Sequence, residues 1–119
     1  MDTLTAKERT ELERTALNIR RKILRMIKAG HSGHVGGAMS IVEIITALYF
    51  KIMRLDPENP QWEERDRLIL SAGHKCLALY AVLAEKGFFD ESLLDTYGCL
   101  SCRLPGHPDM HKLPGVDTR

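Results

Sequence analysis

The chain is poor in residues that announce a specialised environment. Its 119 residues include three cysteines, three phenylalanines, three tyrosines and one tryptophan. A small, odd cysteine count does not make a disulfide framework and fits reduced thiols in a cytoplasmic protein. With so few aromatic rings, Leu, Ile, Ala and Val must fill most of any core. Long apolar runs are also missing. The longest, IVEIITALYFKIM, is interrupted by Glu43 and Lys51 and is too short to span a bilayer. The opening stretch, MDTLTAKERTELER, is charged throughout and has no apolar leader region. A net charge of +1 argues neither for nor against a polyanionic partner. There are no internal repeats or low-complexity tracts.

The composition is that of a globular domain: 44% hydrophobic and 28% charged, on a chain long enough for one core. Charge is unevenly spread. Residues 1–29 hold eight Lys/Arg against four Asp/Glu. Arg14, Arg21, Arg25 and Lys28 could form a basic stripe for nucleic acid. That span has no aromatic side chain to stack on bases, so a solvated helix face is the simpler reading.

Apolar spacing organises the rest. Leu12, Ala16, Ile19, Ile23, Met26 and Ile27 recur at three- and four-residue steps, which predicts one amphipathic helix over residues 5–29. Thr5 can cap its start, and Gly30 sits where a glycine ends a helix. Ser40 and Glu43 have capping-box spacing ahead of Ile41, Ile44, Ile45, Leu48 and Ile52, predicting a second helix buried on more than one face. Residues 54–66, with two prolines and five acids, read as a surface connection. Leu68-Ile69-Leu70, short and apolar before another helix, suits a buried strand of a parallel sheet. A third helix is expected from about Lys75 to Lys86, stopping at Gly87, and Asp90 should cap a short fourth one ending near Gly98. Residues 99–119, with three prolines and two glycines, should be irregular. One credible strand among helices reads as part of an α/β sheet whose other strands lie elsewhere, so the chain is expected to be incomplete.

Three histidines each follow a glycine in an expected loop: His34 in SGHVGG, His74 in SAGH and His107 in PGHPD. Glycine lets a ligand approach the backbone, and imidazole supplies a donor, an acceptor and a proton near neutral pH. His74 would stand between a parallel strand and a helix, the sheet edge where ligands and anions bind. A metal reading competes, because Cys99-x2-Cys102-x4-His107-x3-His111 offers four zinc-type ligands, although Pro105 and Pro108 stiffen the turns that would wrap the ion. His31 and His34 alone close no structural metal site. Cys76 reads as a small buried hydrophobe, with no third group visible to orient a catalytic pair. Trp62 reads as a packing or interface residue.

The order of motifs adds up to a resemblance. SGHVGGAMSIVEIITALYFKIMRLDPENPQWEERDRLILSAGHKCLALYAVLAEKGFF, followed by SCRLPGHPDMHKLPGVD, resembles the start of a transketolase, in particular the N-terminal subunit of the split, two-chain form. The resemblance implies an α/β fold: the incomplete N-terminal part of a thiamine diphosphate-binding parallel-sheet fold, helix-rich with few strands. Residues 1–119 would then be a partial diphosphate-binding domain, with an N-terminal helix in 1–29 and an irregular tail in 99–119. The implied activity is transfer of a two-carbon ketol unit between sugar phosphates, in carbohydrate metabolism of the pentose phosphate type. It would use thiamine diphosphate and a divalent metal such as Mg. His34, His74 and His107 match the family's catalytic histidines. By the same resemblance, His74 lies by the cofactor's diphosphate and reacting centre, while His34 and His107 bind the sugar. Gly33, Gly36 and Gly37 would let the backbone and His34 approach that sugar, and His31 would be incidental.

This sequence departs from the family's pattern in places. Val35 replaces the usual proline, and Ser101-Cys102 stand where Gly-Ser is usual, which weakens the zinc reading. No Gly-Asp-Gly occurs, so the family's metal anchor is absent from these residues. The glutamate that activates the aminopyrimidine would come from a partner, the C-terminal pyrimidine-binding subunit, in a dimer-type assembly. The isolated chain is therefore expected to be inactive. The alternatives are a non-catalytic remnant or assembly module of the same fold, and a small zinc-binding protein.

Overall fold

The computed structural model describes residues 3–31, 33–98 and 113–117. Helix α1 runs from Ala6 to Gly30. Its start is closed reciprocally: Glu8 N–H donates to the Thr5 hydroxyl, and Thr5 N–H donates to the Glu8 carboxylate, both at 3.1 Å. Ala16, Ile19, Ile23 and Met26 form its buried stripe, as the periodicity requires. At the other end the left-handed residue is His31 (φ 59°), not Gly30. Gly30 is glycine for a different reason. A Cβ there would lie 2.8 Å from Tyr97 Cδ2 and 2.9 Å from the Tyr97 carbonyl oxygen.

The second helical stretch begins earlier than its capping signal suggests. Helix α2 spans Val35–Ser40 and α3 spans Val42–Ala47, followed by a π-helical turn at Leu48–Ile52. Ser40 caps nothing. Its hydroxyl donates to the Gly37 carbonyl at 2.7 Å, and Glu43 pairs with Arg20 of α1. The break falls at Ile41 (φ −107°, ψ 4°). Only one face is buried, through Ala38, Val42, Ile45, Thr46 and Tyr49. Ile44 and Ile52 remain more than half exposed, because no described element packs on their side.

Residues 54–66 form the expected surface connection. Arg54 and Asp66 pin its ends, with Arg54 N–H donating to the Asp66 carboxylate at 2.7 Å. Asp66 N–H in turn donates to the Arg54 carbonyl at 2.9 Å. Arg65 crosses to Asp117 at 2.8 Å and donates to the Trp62 carbonyl at 2.7 Å. The expected strand at 68–70 is not formed, and no strand occurs among the described residues. Leu68 and Leu70 pack against the core while Ile69 is 60% exposed, so the segment has strand-like alternation. What it lacks is a neighbour: no described backbone group pairs with residues 67–71.

Helix α4, Cys76–Lys86, is the centre of the molecule. Every residue from Cys76 to Ala84 is buried, as a helix without a polar face must be. It stops at Gly87 (φ 96°), where the N–H groups of Gly87 and Phe88 both donate to the Leu83 carbonyl. The expected short helix after Asp90 is a 3₁₀ turn, Glu91–Thr96, with Ser92 N–H donating to the Asp90 carboxylate at 2.8 Å. Leu113 and Val116 return to the core. Helix α1 lies against α4, α2, α3 and the 3₁₀ turn. Lys22 and Asn18 bind Glu85 at 2.6 and 3.2 Å, and Arg25 forks onto Asp95 with two contacts of 2.7 Å.

Candidate functional site

Two of the three singled-out histidines come together. His34 follows the turn that ends α1 and caps α2 through its backbone, its carbonyl accepting from Ala38 N–H at 3.1 Å. His74 is the middle residue of a 3₁₀ turn, Gly73–Lys75, that leads into α4. Their ring centroids are 5.8 Å apart and the planes meet at 76°, edge to face. Both residues are exposed. At this spacing two imidazoles can hydrogen-bond neighbouring oxygens of one bound molecule. The sequence places His74 correctly at a helix start. In place of the strand expected before it there is an unpaired extended segment.

The glycines around His34 do three different things. A Cβ on Gly33 would come within 2.8 Å of Leu77 Cδ1 and 3.1 Å of Ile27 Cγ1. Gly33 therefore presses the loop onto the first turn of α4 and the last turns of α1, and fixes where His34 stands. At Gly37, a Cβ would only touch Lys75 Cγ (3.4 Å) and His74 Cδ2 (3.5 Å). Gly36 alone faces open space, with nothing within 4 Å of the added atom. Of the three, Gly36 is the one whose surroundings leave room for a ligand. Lys75 is a neighbour that sequence reasoning passed over: its stem lies on Gly37 and its ammonium is 3.5 Å from the Ser40 hydroxyl. The available signal was its place directly after His74.

Other expectations are resolved differently. His107 lies outside the described residues, as do Cys99, Cys102 and His111 of the zinc reading. Among the described residues no three His, Cys, Asp or Glu side chains are grouped to hold a metal. Cys76 is 2% exposed, and burial pushes its thiol up to about 11, which suits a core residue and not a nucleophile. A cleft of about 300 Å³ lies between α1 and α3, with Leu4, Leu12, Ala16 and Thr46 in its wall. Neither imidazole lines it, so it is separate from the histidine pair. No described helix is long and apolar enough to cross a membrane.

With that geometry in hand, comparison with known proteins is direct. Residues 12–119 match the family described as transketolase, thiamine diphosphate binding domain. The chain is 47% identical over 112 residues to the 6-deoxy-6-sulfo-D-fructose transketolase subunit SqwG of Clostridium sp. (strain MSTE9), covering 94% of this chain and 41% of that protein. It is 44% identical over 108 residues to one of the apulose-4-phosphate transketolase subunits of Actinobacillus succinogenes, covering 90% and 39%. Among solved structures, transketolase from Leishmania mexicana superposes with a TM-score of 0.83 at 32% identity, over 88% of this chain and 16% of that one. The chain thus spans about 40% of the length of the two curated relatives. The fold, helix-rich and without strands in the described residues, is that of the corresponding part of transketolases. The chain belongs to the transketolase family, within its N-terminal, thiamine diphosphate-binding domain.

Proposed function

We propose that this chain supplies one wall of the active site of a thiamine diphosphate-dependent transketolase, which transfers a two-carbon ketol unit between sugar phosphates. The observation that carries the reading is the meeting of the exposed His34 and His74 rings, with Gly37 lying against His74. Two imidazoles fit the oxygen-rich surfaces of a diphosphate and a polyhydroxylated chain. Among the described residues no third His, Cys, Asp or Glu side chain joins them to hold a metal, and the 119 residues contain no Gly-Asp-Gly. When bound, thiamine diphosphate would supply the electron sink for carbon–carbon bond cleavage, and a divalent cation such as Mg would accompany it.

The residues of this chain then bind and move protons. His74 would help hold the cofactor, donating a hydrogen bond toward its diphosphate and reacting centre. His34 would bind the hydroxyl end of the sugar, and His107 the donor sugar, as their motif resemblance implies. Imidazole can give or take a proton at these oxygens near neutral pH. The partner is a C-terminal, pyrimidine-binding transketolase subunit in a dimer-type assembly, in the cytoplasm. The relatives named as transketolase subunits, of which this chain spans about 40%, support the presence of a partner subunit.

Calorimetric titration of the chain with thiamine diphosphate and Mg²⁺ tests the need for a partner. The expected result is little binding, and tight metal-dependent binding by the chain alone would overturn it. In an assembly with the partner subunit, His34→Ala and His74→Ala should each lower kcat/KM by about 10²–10⁴. Unchanged transfer in both variants would remove the assigned roles.

A further inference from the structure

The face of α1 opposite its buried stripe is a ridge that the histidine pair does not use. Lys7, Arg14, Arg21 and Lys28 follow one another at seven-residue steps, and Leu17 and Leu24 alternate with the last three. All six are exposed, the leucines by 47% and 54%. Seven residues make nearly two helical turns, so the six side chains lie along one line of about 30 Å.

The ridge differs from its flanks in charge pairing. On one side Arg9 pairs with Glu13 and Arg20 with Glu43. On the other, Lys22 pairs with Glu85 and Arg25 with Asp95. Arg25 therefore drops out of the basic stripe read from the sequence. None of the four ridge cations forms an ion pair among the described residues, not even with Glu11, which is one turn from both Lys7 and Arg14.

We propose that this ridge docks an acidic, leucine-bearing helix of a protein partner. The occupant has to bring carboxylates for four cations and apolar side chains for two leucines, at the same seven-residue period. An amphipathic helix with Glu and Leu alternating at its contact positions does this. Nucleic acid would satisfy the cations and leave the leucines uncovered, with no aromatic residue in 1–29 to stack on bases. Two leucines are also little apolar area for holding a helix in a lipid surface.

The test is fluorescence anisotropy of the full chain with a labelled peptide of about three heptads carrying Glu and Leu at alternating contact positions. Its mirror has Lys in place of Glu. The acidic peptide should bind and weaken as salt rises. R14E/R21E should lose about tenfold in affinity for the acidic peptide and gain affinity for its Lys mirror. L17S/L24S should weaken acidic-peptide binding, and both double variants should leave the far-ultraviolet circular dichroism unchanged, since all four positions are solvent-facing. The proposal is overturned if the acidic and Lys peptides bind alike, or if R14E/R21E leaves acidic-peptide binding unchanged. It is also overturned if a DNA duplex or phosphatidylserine vesicles bind through these residues more tightly than the peptide does.

Discussion

Gly30 and Gly36 should respond in opposite directions to the same substitution. Both lie inside helices, α1 and α2, with ordinary negative φ. On helix propensity alone, Gly→Ala stabilises each by up to about 1 kcal/mol. At Gly30 that gain meets a wall. The new methyl would sit 2.8 Å from Tyr97 Cδ2 and 2.9 Å from the Tyr97 carbonyl oxygen. The ring can turn away, but the carbonyl cannot. Tyr97 N–H donates to Leu94 at 3.2 Å, and Gly98 already lies so close that its own Cβ would be 3.0 Å from Gly30 Cα. Overpacking against backbone costs about 1–3 kcal/mol. G30A should therefore destabilise by roughly 1–2 kcal/mol net and lower Tm by about 4–8 °C. At Gly36 nothing lies within 4 Å, so G36A should stabilise by about 0.5–1 kcal/mol. Urea and thermal unfolding followed by circular dichroism measure both. A G30A protein more stable than its parent, or a G36A protein that loses stability, would refute the reasoning from close approach.

Three further outcomes follow from the same contacts. Glu8 is held by Lys51 and by Thr5, which lowers its pKa from 4.5 to about 2. A depressed carboxylate stabilises above its ordinary pKa, so this contribution is complete above about pH 5 and fades as pH falls toward 2. E8Q should flatten the stability–pH curve in that window, and an unchanged curve would count against the contact. Asp117 meets Arg65 at 2.8 Å with both side chains mostly buried, and D117A leaves that guanidinium unpaired. The loss should be about 1–3 kcal/mol in urea unfolding, with faster proteolysis near residues 113–117. Cys76, with its thiol pushed up to about 11, should stay unlabelled by iodoacetamide at pH 8 until urea is added, as read by peptide mass mapping.

The helices are legible in the sequence because burial and caps are local signals. Ala16, Ile19, Ile23 and Met26 mark α1 by spacing alone, Thr5 marks its start, and Gly87 marks the end of α4. Where sequence and structure part, the deciding contact is distant along the chain. Ser40 and Glu43 have the spacing of a cap, but the Gly37 carbonyl and Arg20 compete for them and win. Leu68-Ile69-Leu70 has a strand's alternation, but pairing depends on a neighbouring backbone that no local pattern reports. Gly30 looks like a helix terminator until Tyr97 is placed beside it. The meeting of His34 and His74 belongs to the same class. Their glycine contexts single them out, and only the packing of α2 against the start of α4 brings the rings together.

That packing also shows what the histidine pair depends on. The sequence pattern would have the end of a strand aim His74. In the structure its turn leads into α4, whose buried body is the least exposed part of the described chain. His34 is fixed from the other side, through Gly33 on Leu77 and Ile27 and through its carbonyl at the start of α2. Leu77 belongs to α4, so both rings are referred to the same helix, one directly and one through a glycine contact. Among the described residues, the spacing of 5.8 Å is thus held by core packing among helices, with no paired strand beside it. A side chain at Gly33 would move His34 relative to His74 while leaving both imidazoles chemically intact. Geometry and chemistry at this site are therefore separable by mutation, with Gly33 controlling the first and the two histidines supplying the second.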